Sequence, residues 1–190
     1  MSPRTKDQFK AMRGKSRENI INSAMSLFAT NGFHTTSMAQ ISSAAGISKG
    51  LIYNYYFSKE ALLDAIIQNG FSEIDLMLNE NLSDLNPKEE LISQITQAFQ
   101  AYQTNFDFWK LYFQIIMQPA IFSKYSKQLQ KFLNGQIIKM TNLFTSAGIS
   151  HPEYRARIVA ALLDGIGFHL IIDPNYPLED IKKYIIQEII

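Results

Sequence analysis

Residues 46–62 read GISKGLIYNYYFSKEAL, a stretch that sets two lysines and four aromatic side chains around a glycine. One helical face buries only some of Tyr53, Tyr55, Tyr56 and Phe57, so the others are placed to touch a partner. The chemistry these residue types offer is recognition of an anionic backbone. Lys49 brings a mobile cation to phosphate, and Gly50 lets the start of a helix approach a phosphate chain closely. The hydroxyls of Tyr53 and Tyr55 suit phosphate oxygens while their rings lie along sugars, and Asn54 adds a side chain able to hydrogen-bond to a nucleic acid. Tyr56 and Phe57 are expected to turn inward. The competing reading is plainer: Tyr53 and Tyr55 half-buried against the first helix, and Lys49 a solvated charge.

Covalent and metal chemistry are not written in the chain. There is no cysteine, which removes disulfide frameworks, thiolate zinc sites and cysteine nucleophiles together. His34, His151 and His169 have no metal-ligand spacing, and Gly165 and Gly167 fall inside a helical run without the third glycine of a dinucleotide fingerprint. The expectation is a protein that is not an enzyme, with no catalytic residues, metal or cofactor. Net charge is only +1, but the first 60 residues hold eight Lys/Arg against three Asp/Glu, and the remainder holds ten against fourteen. The basic third is the candidate for a polyanion contact. The basic first residues lead into no apolar signal core and no run of about 18 apolar residues follows, which predicts a cytoplasmic protein with no membrane partner.

The elements that must position residues 48–55 are legible from helix punctuation, and strand alternation is absent. Ser16 can cap a helix of about 14 residues in which Ile20, Ala24, Leu27 and Phe28 share a face, ending at Asn31 and Gly32. Ser37 and Gln40 have capping-box spacing, and Gly46 closes this second helix. Ser48 opens a third. Ser58 opens a fourth, with Leu62, Leu63, Ile66, Ile67, Ile74 and Leu78 on its apolar side. Asn86, Pro87 and Glu89 mark a fifth start, and residues 84–86 a joint before it. Breaks at Pro119, at 148–152 and at 173–177 complete about nine helices in an all-α chain. Helices two and three, joined at Gly46, have the outline of a helix-turn-helix, with Ile41, Ala45, Ile47 and Ile52 where the two must pack. Gly46 is expected at positive φ.

With these residues in place, LFATNGFHTTSMAQISSAAGISKGLIYNYYFSKEALLDAI resembles the N-terminal signature of the TetR family of transcriptional repressors, over roughly residues 17 to 67. The resemblance implies a dimeric, all-helical repressor with an N-terminal helix-turn-helix and a divergent C-terminal ligand domain. It also implies phosphate contacts for Thr36 and Ser37, a recognition helix carrying Ser48, Lys49, Gly50, Leu51, Tyr53, Asn54 and Tyr55, and a phosphate lysine at Lys59. Tyr55 and Tyr56 stand where many members have histidine and phenylalanine.

In the C-terminal two thirds, residues 158–172 are apolar nearly all round and must be covered on more than one side. Gly165 and Gly167 would let another helix approach. The family pairs its last two helices with those of a second subunit, which assigns Ile158, Leu162, Gly165, Ile166, Leu178, Ile181, Ile185 and Ile189 to a dimer interface. Between residues 102 and 117, Tyr102, Phe106, Trp109, Phe113 and Ile116 or Met117 recur at helical spacing. They form either core or the walls of a pocket for an apolar or aromatic effector, with His169 facing in to orient a polar group.

The expected organisation is a basic arm over 1–15, a helix-turn-helix domain over 16–60 and a ligand-binding and dimerisation domain over 61–190. The arm, with Arg4, Lys6, Lys10, Arg13, Lys15 and Arg17, is either a DNA contact or a loose solubilising tail. The expected partners are a double-stranded operator, a second copy of the chain and a small-molecule effector that releases the DNA. The alternative function is a DNA-binding regulator without small-molecule control.

Overall fold

The computed structural model describes residues 6–79, 85–173 and 175–190, and among them every regular element is helical. The helices are α1 (Lys6–Asn31), α2 (Met38–Ala44), α3 (Lys49–Ile52), α4 (Lys59–Asn79), α5 (Pro87–Thr104), α6 (Phe106–Ile116), α7 (Pro119–Ser146), α8 (Pro152–Ile172) and α9 (Leu178–Ile189). Arg4, Pro174 and the start of the joint at Asp84 lie outside the described residues, as do the side chains of Lys6, Lys10 and Leu78.

The chain forms two compact units. The first runs up to Gly70 and includes Leu111–Ile121; the second comprises Phe71–Lys110 and Phe122–Ile190.

In the first unit, α1 is longer than the caps predict, 26 residues rather than about 14, and begins at Lys6 instead of after Ser16. The reason is propensity: residues 6–13 include Lys, Gln, Ala, Met and Arg, which favour helix without needing a cap, and the one Gly14 is tolerated. Ile20, Ala24 and Phe28 are sealed in the core and Leu27 is half-buried. Gly32, at φ 85°, ends the helix and donates to the Phe28 carbonyl at 3.1 Å.

The short helices close as their residues require. Ser37 Oγ accepts from the Gln40 amide at 3.3 Å while Gln40 Oε1 accepts from the Ser37 amide at 2.8 Å. Gly46, at φ 66°, donates to Ser43 O, and Ile47 donates to Ser42 O, the paired bonds that satisfy the last carbonyls of α2. α2 packs on α1 and on α3, and Ile41, Ala45 and Ile52 are buried between them with Ile47 half-buried.

The C-terminal half of α6 belongs to this unit because of two close fits. The Tyr112 ring lies on Gly70 of α4, where a Cβ would stand 2.1 Å from Tyr112 Cζ, and its hydroxyl donates to Ile67 O at 3.2 Å. Gln118, after α6, donates to Phe28 O at 2.7 Å and accepts from the Phe33 amide at 3.1 Å, fastening the end of α1.

In the second unit, Asn86 caps α5 by accepting from the amides of Lys88 and Glu89, with Pro87 at the first turn. The core gathers Leu91, Ile95 and Phe99 of α5, Ile137, Met140 and Phe144 of α7, Ala156, Val159 and Ile166 of α8, and Leu178 and Ile185 of α9. This corrects the interface expectation. Ile166, Leu178 and Ile185 are buried within their own chain, and Ile181 and Ile189 pack half-buried on the same core. The continuous apolar run of α8 divides into two faces: Ala156, Val159, Ile166 and Gly167 turn inward, while Tyr154, Ile158, Leu162, Phe168 and Ile172 are exposed on the opposite side. Gly165 lies on that outer side, and a Cβ there would meet nothing within 4 Å.

Candidate nucleic-acid interface

The exposed segment at 48–55 is produced by a one-turn helix on a buried base. Ser48 Oγ accepts from the Leu51 amide at 3.2 Å, α3 lasts only four residues, and the chain continues in turns through bonds from Asn54 to Leu51 O and from Tyr55 to Ile52 O. The helix is shorter than the recognition helix expected from sequence. Ile52 is the anchor, fully buried, whereas Ser48, Lys49, Gly50, Leu51, Tyr53 and Asn54 are all exposed and Tyr55 is half-buried. A Cβ on Gly50 would meet nothing within 4 Å, so the glycine answers no need of the fold itself.

Two expectations about the aromatics divide. Tyr56 is half-buried, and burial raises its hydroxyl pKa while the charge of Arg17 works in the opposite direction. Phe57 is 82% exposed and does not turn inward. Its neighbours Tyr56 and Ser58 are half-buried, and the Phe57 ring alone between them is left to solvent.

Two of the residues assigned to phosphate by resemblance serve the scaffold. Thr36 is 1% exposed and its hydroxyl donates to Gly32 O at 2.8 Å, with Leu27 O at 3.2 Å. Lys59 is turned onto the loop between α1 and α2, where its ammonium donates to Phe33 O at 2.7 Å, Thr36 O at 2.8 Å and His34 O at 3.1 Å. The same ammonium lies 4.5 Å from the Phe33 ring centroid. A lysine whose three donors each meet a carbonyl holds a loop and has none left for an incoming phosphate. Ser37 remains exposed at the start of α2, its hydroxyl shared with Gln40.

The residues expected to form one pocket wall do not share a helix or a unit. Asn105 ends α5, so Tyr102 lies on α5 and Phe106 begins α6. Tyr102, Phe106, Trp109 and His169 fall in the second unit, Phe113 and Met117 in the first. Tyr102 donates to Leu163 O at 2.8 Å, and burial, reinforced by Asp164, raises its pKa. Trp109 is buried edge-on to Phe108. Met117 is 63% exposed. His169 is exposed and stacks on Tyr176 with centroids 5.5 Å apart, because its register places it beside the outer face of α8 rather than the core face. The second unit instead carries an open depression of about 380 Å³ lined by Glu90 and Gln94 of α5 and by Gln136, Lys139, Met140 and Leu143 of α7.

Of the competing reading that set both tyrosines half-buried against the first helix, Tyr55 alone fits, with the Arg13 guanidinium of α1 5.9 Å over its ring, while sequence reasoning did not foresee that the charge of Arg17 acts on Tyr56. The signal was present in the four-residue spacing of the two arginines, three residues ahead of the buried Ile20.

Among the described residues no helix is long and apolar enough to cross a membrane. The sequence matches the family described as bacterial regulatory proteins, tetR family, over residues 20–66. It is 38% identical over 95 residues to the uncharacterized HTH-type transcriptional regulator YerO of Bacillus subtilis, a match spanning 48% of this chain and only 33% of that relative. It is 27% identical to the HTH-type transcriptional regulator BetI of Pectobacterium atrosepticum, with 79% of each chain covered. The fold is similar to that of the transcriptional regulator FadR from Bacillus subtilis, solved in complex with stearoyl-CoA, at a TM-score of 0.70 and 20% identity over 90% of this chain and 96% of that one. The helix-turn-helix at residues 38–52 lies inside the segment that matches the tetR family of bacterial regulatory proteins.

Proposed function

We propose that this chain is a transcriptional repressor that binds a near-palindromic operator as a homodimer and is released by a small effector. The observation that supports it most is the exposure of Ser48, Lys49, Gly50, Tyr53 and Asn54 on a base that is fully buried at Ile52. Such a tip presents a cation, hydroxyls and an open glycine to phosphate oxygens without any rearrangement of the domain. Leu51 and Tyr55 belong to the same segment, and Ser37 stands exposed at the start of α2.

The dimer forms through the outer face of α8. Tyr154, Ile158, Leu162, Gly165, Phe168 and Ile172 recur at three- and four-residue intervals, which makes one apolar stripe on a helix whose other face is already buried. Gly165 in the middle of that stripe lets a symmetry-related helix approach.

The effector occupies the depression between α5 and α7, with an apolar or aromatic body against Met140 and Leu143 and a polar group toward Gln94, Gln136 or Lys139. FadR, solved with stearoyl-CoA, has the same fold. Helix α4 extends from the first unit at Lys59 into the second at Phe71 and is the mechanical link. The effector shifts the dimer toward its released form only by the difference in its affinity for the two forms.

Hydroxyl-radical footprinting and binding stoichiometry on the DNA flanking its own gene test this reading. Two copies per duplex and two protected patches about 34 to 36 Å apart are expected. Saturation by a single copy, or no binding at any ionic strength, overturns it. An effector that binds the second unit and leaves operator affinity unchanged overturns the ligand-control part alone.

A further inference from the structure

We infer that the N-terminal part of α1 forms a second contact with the DNA backbone, in which Arg13 and Arg17 hold phosphates flanking those reached by residues 48–55. The inference rests on the DNA-binding reading above and enlarges the surface that reading uses.

The argument is one of helical register. At 3.6 residues per turn, Arg13, Arg17, Ile20 and Ala24 recur at intervals of four, three and four and share one side of α1. In the C-terminal half of the helix that side is the core face, with Ile20 and Ala24 sealed. Toward the start of the helix the same side changes from apolar to basic, and Arg13 and Arg17 are exposed. Lys6 and Lys10 precede them in the sequence at the same spacing. A helix needed only to cover the small domain would end near Ile20, where its apolar stripe ends. This one continues to Lys6, about 20 Å further at 1.5 Å per residue.

The stripe leads to the candidate interface. Arg13 lies over Tyr55, and Arg17 is close enough to Tyr56 to influence its ionisation. Both tyrosines immediately follow the exposed tip. The partner whose charge complements a line of guanidinium groups beside a phosphate-reading segment is the same duplex, contacted further along its backbone. Glu18 falls off the stripe, and so does Lys15, which is exposed on the opposite side of the helix. Lys15 is therefore an internal control: equal charge, the same helix, the wrong face.

The test compares Arg13→Ala, Arg17→Ala and Lys15→Ala in the full chain, binding both the footprinted fragment and a 40-bp duplex of unrelated sequence between about 50 and 200 mM salt. Thermal melts confirm that each variant is folded. Each arginine variant is expected to reduce the slope of log K against log[salt] by about 0.9, on both duplexes, and Lys15→Ala to leave it unchanged. Equal losses in all three variants would mean a diffuse field effect and overturn the contact. Unchanged slopes in both arginine variants, with the wild type binding normally, would overturn it as well. Failure of the wild type to bind either duplex overturns the regulator reading itself, a result distinct from the other two.

Discussion

Replacing Lys59 with methionine keeps the aliphatic stem and deletes the ammonium that holds three loop carbonyls. Hydrogen bonds to charged groups contribute about 1.5 to 3 kcal/mol each. The bonds to Phe33 O and Thr36 O are partly buried and the one to His34 O is exposed. Counting the first two near the lower limit, the third near zero, and the contact with the Phe33 ring at about 0.5 to 1 kcal/mol, the loss is roughly 3 to 4 kcal/mol. For a chain of this length that corresponds to a fall in Tm of roughly 6 to 16 °C. Circular dichroism melts measure it, and a salt series on DNA, run well below the variant's Tm, measures the other half of the argument. If Lys59 is a scaffold residue, the slope of log K against log[salt] stays at the wild-type value. An unchanged Tm with a slope reduced by about 0.9 would show a phosphate lysine after all and refute the structural account.

Gly70→Ala sets a methyl into the Tyr112 ring, which its own hydroxyl bond to Ile67 O prevents from swinging away, and is expected to destabilise the first unit by about 3 kcal/mol in urea titrations; Tyr112→Ala in the same chain relieves part of that loss. Gly50→Ala meets no neighbour, so the melting temperature holds or rises slightly while DNA affinity falls, because the added methyl stands where the backbone of the duplex would approach. Burial opposes ionisation of Asp75, but hydrogen bonds from Gln136 and Lys139 and the charge of Lys139 outweigh it and hold the carboxyl below its ordinary value. Its pKa is thus depressed on folding, and the stability it contributes is present above the ordinary carboxylate range and lost as pH falls through its folded value; urea titrations from pH 7 to pH 3 should show that acid limb flattened in Asp75→Asn.

The elements around the candidate interface were legible because each has a local chemical cause. Ser37 with Gln40, Gly32 and Gly46 at positive φ, Ser48, and Asn86 with Pro87 all stand where caps and turns need them. The start of α1 was not legible, because a run of good helix formers has no single residue that announces its beginning. What a side chain does once the chain folds was less legible still. Thr36 and Lys59 match the family pattern by type, yet their partners are carbonyls contributed by residues as far as 26 positions away. The apolar run of α8 could not reveal from sequence which face its own core takes, since both faces are equally apolar, and Leu178 and Ile185 were consumed by that core. His169 shows the same limit: one register step separates the inner from the outer side of a helix.

The measurement that tests the central claim most directly is the salt dependence of DNA binding by Lys49→Ala beside that of the wild type, with Tyr53→Phe as the uncharged companion. An exposed tip that reads phosphates predicts that Lys49→Ala lowers the slope of log K against log[salt] by about 0.9 on every duplex tested, and that Tyr53→Phe weakens binding with no change of slope. Wild-type slopes and affinities in both variants would contradict it.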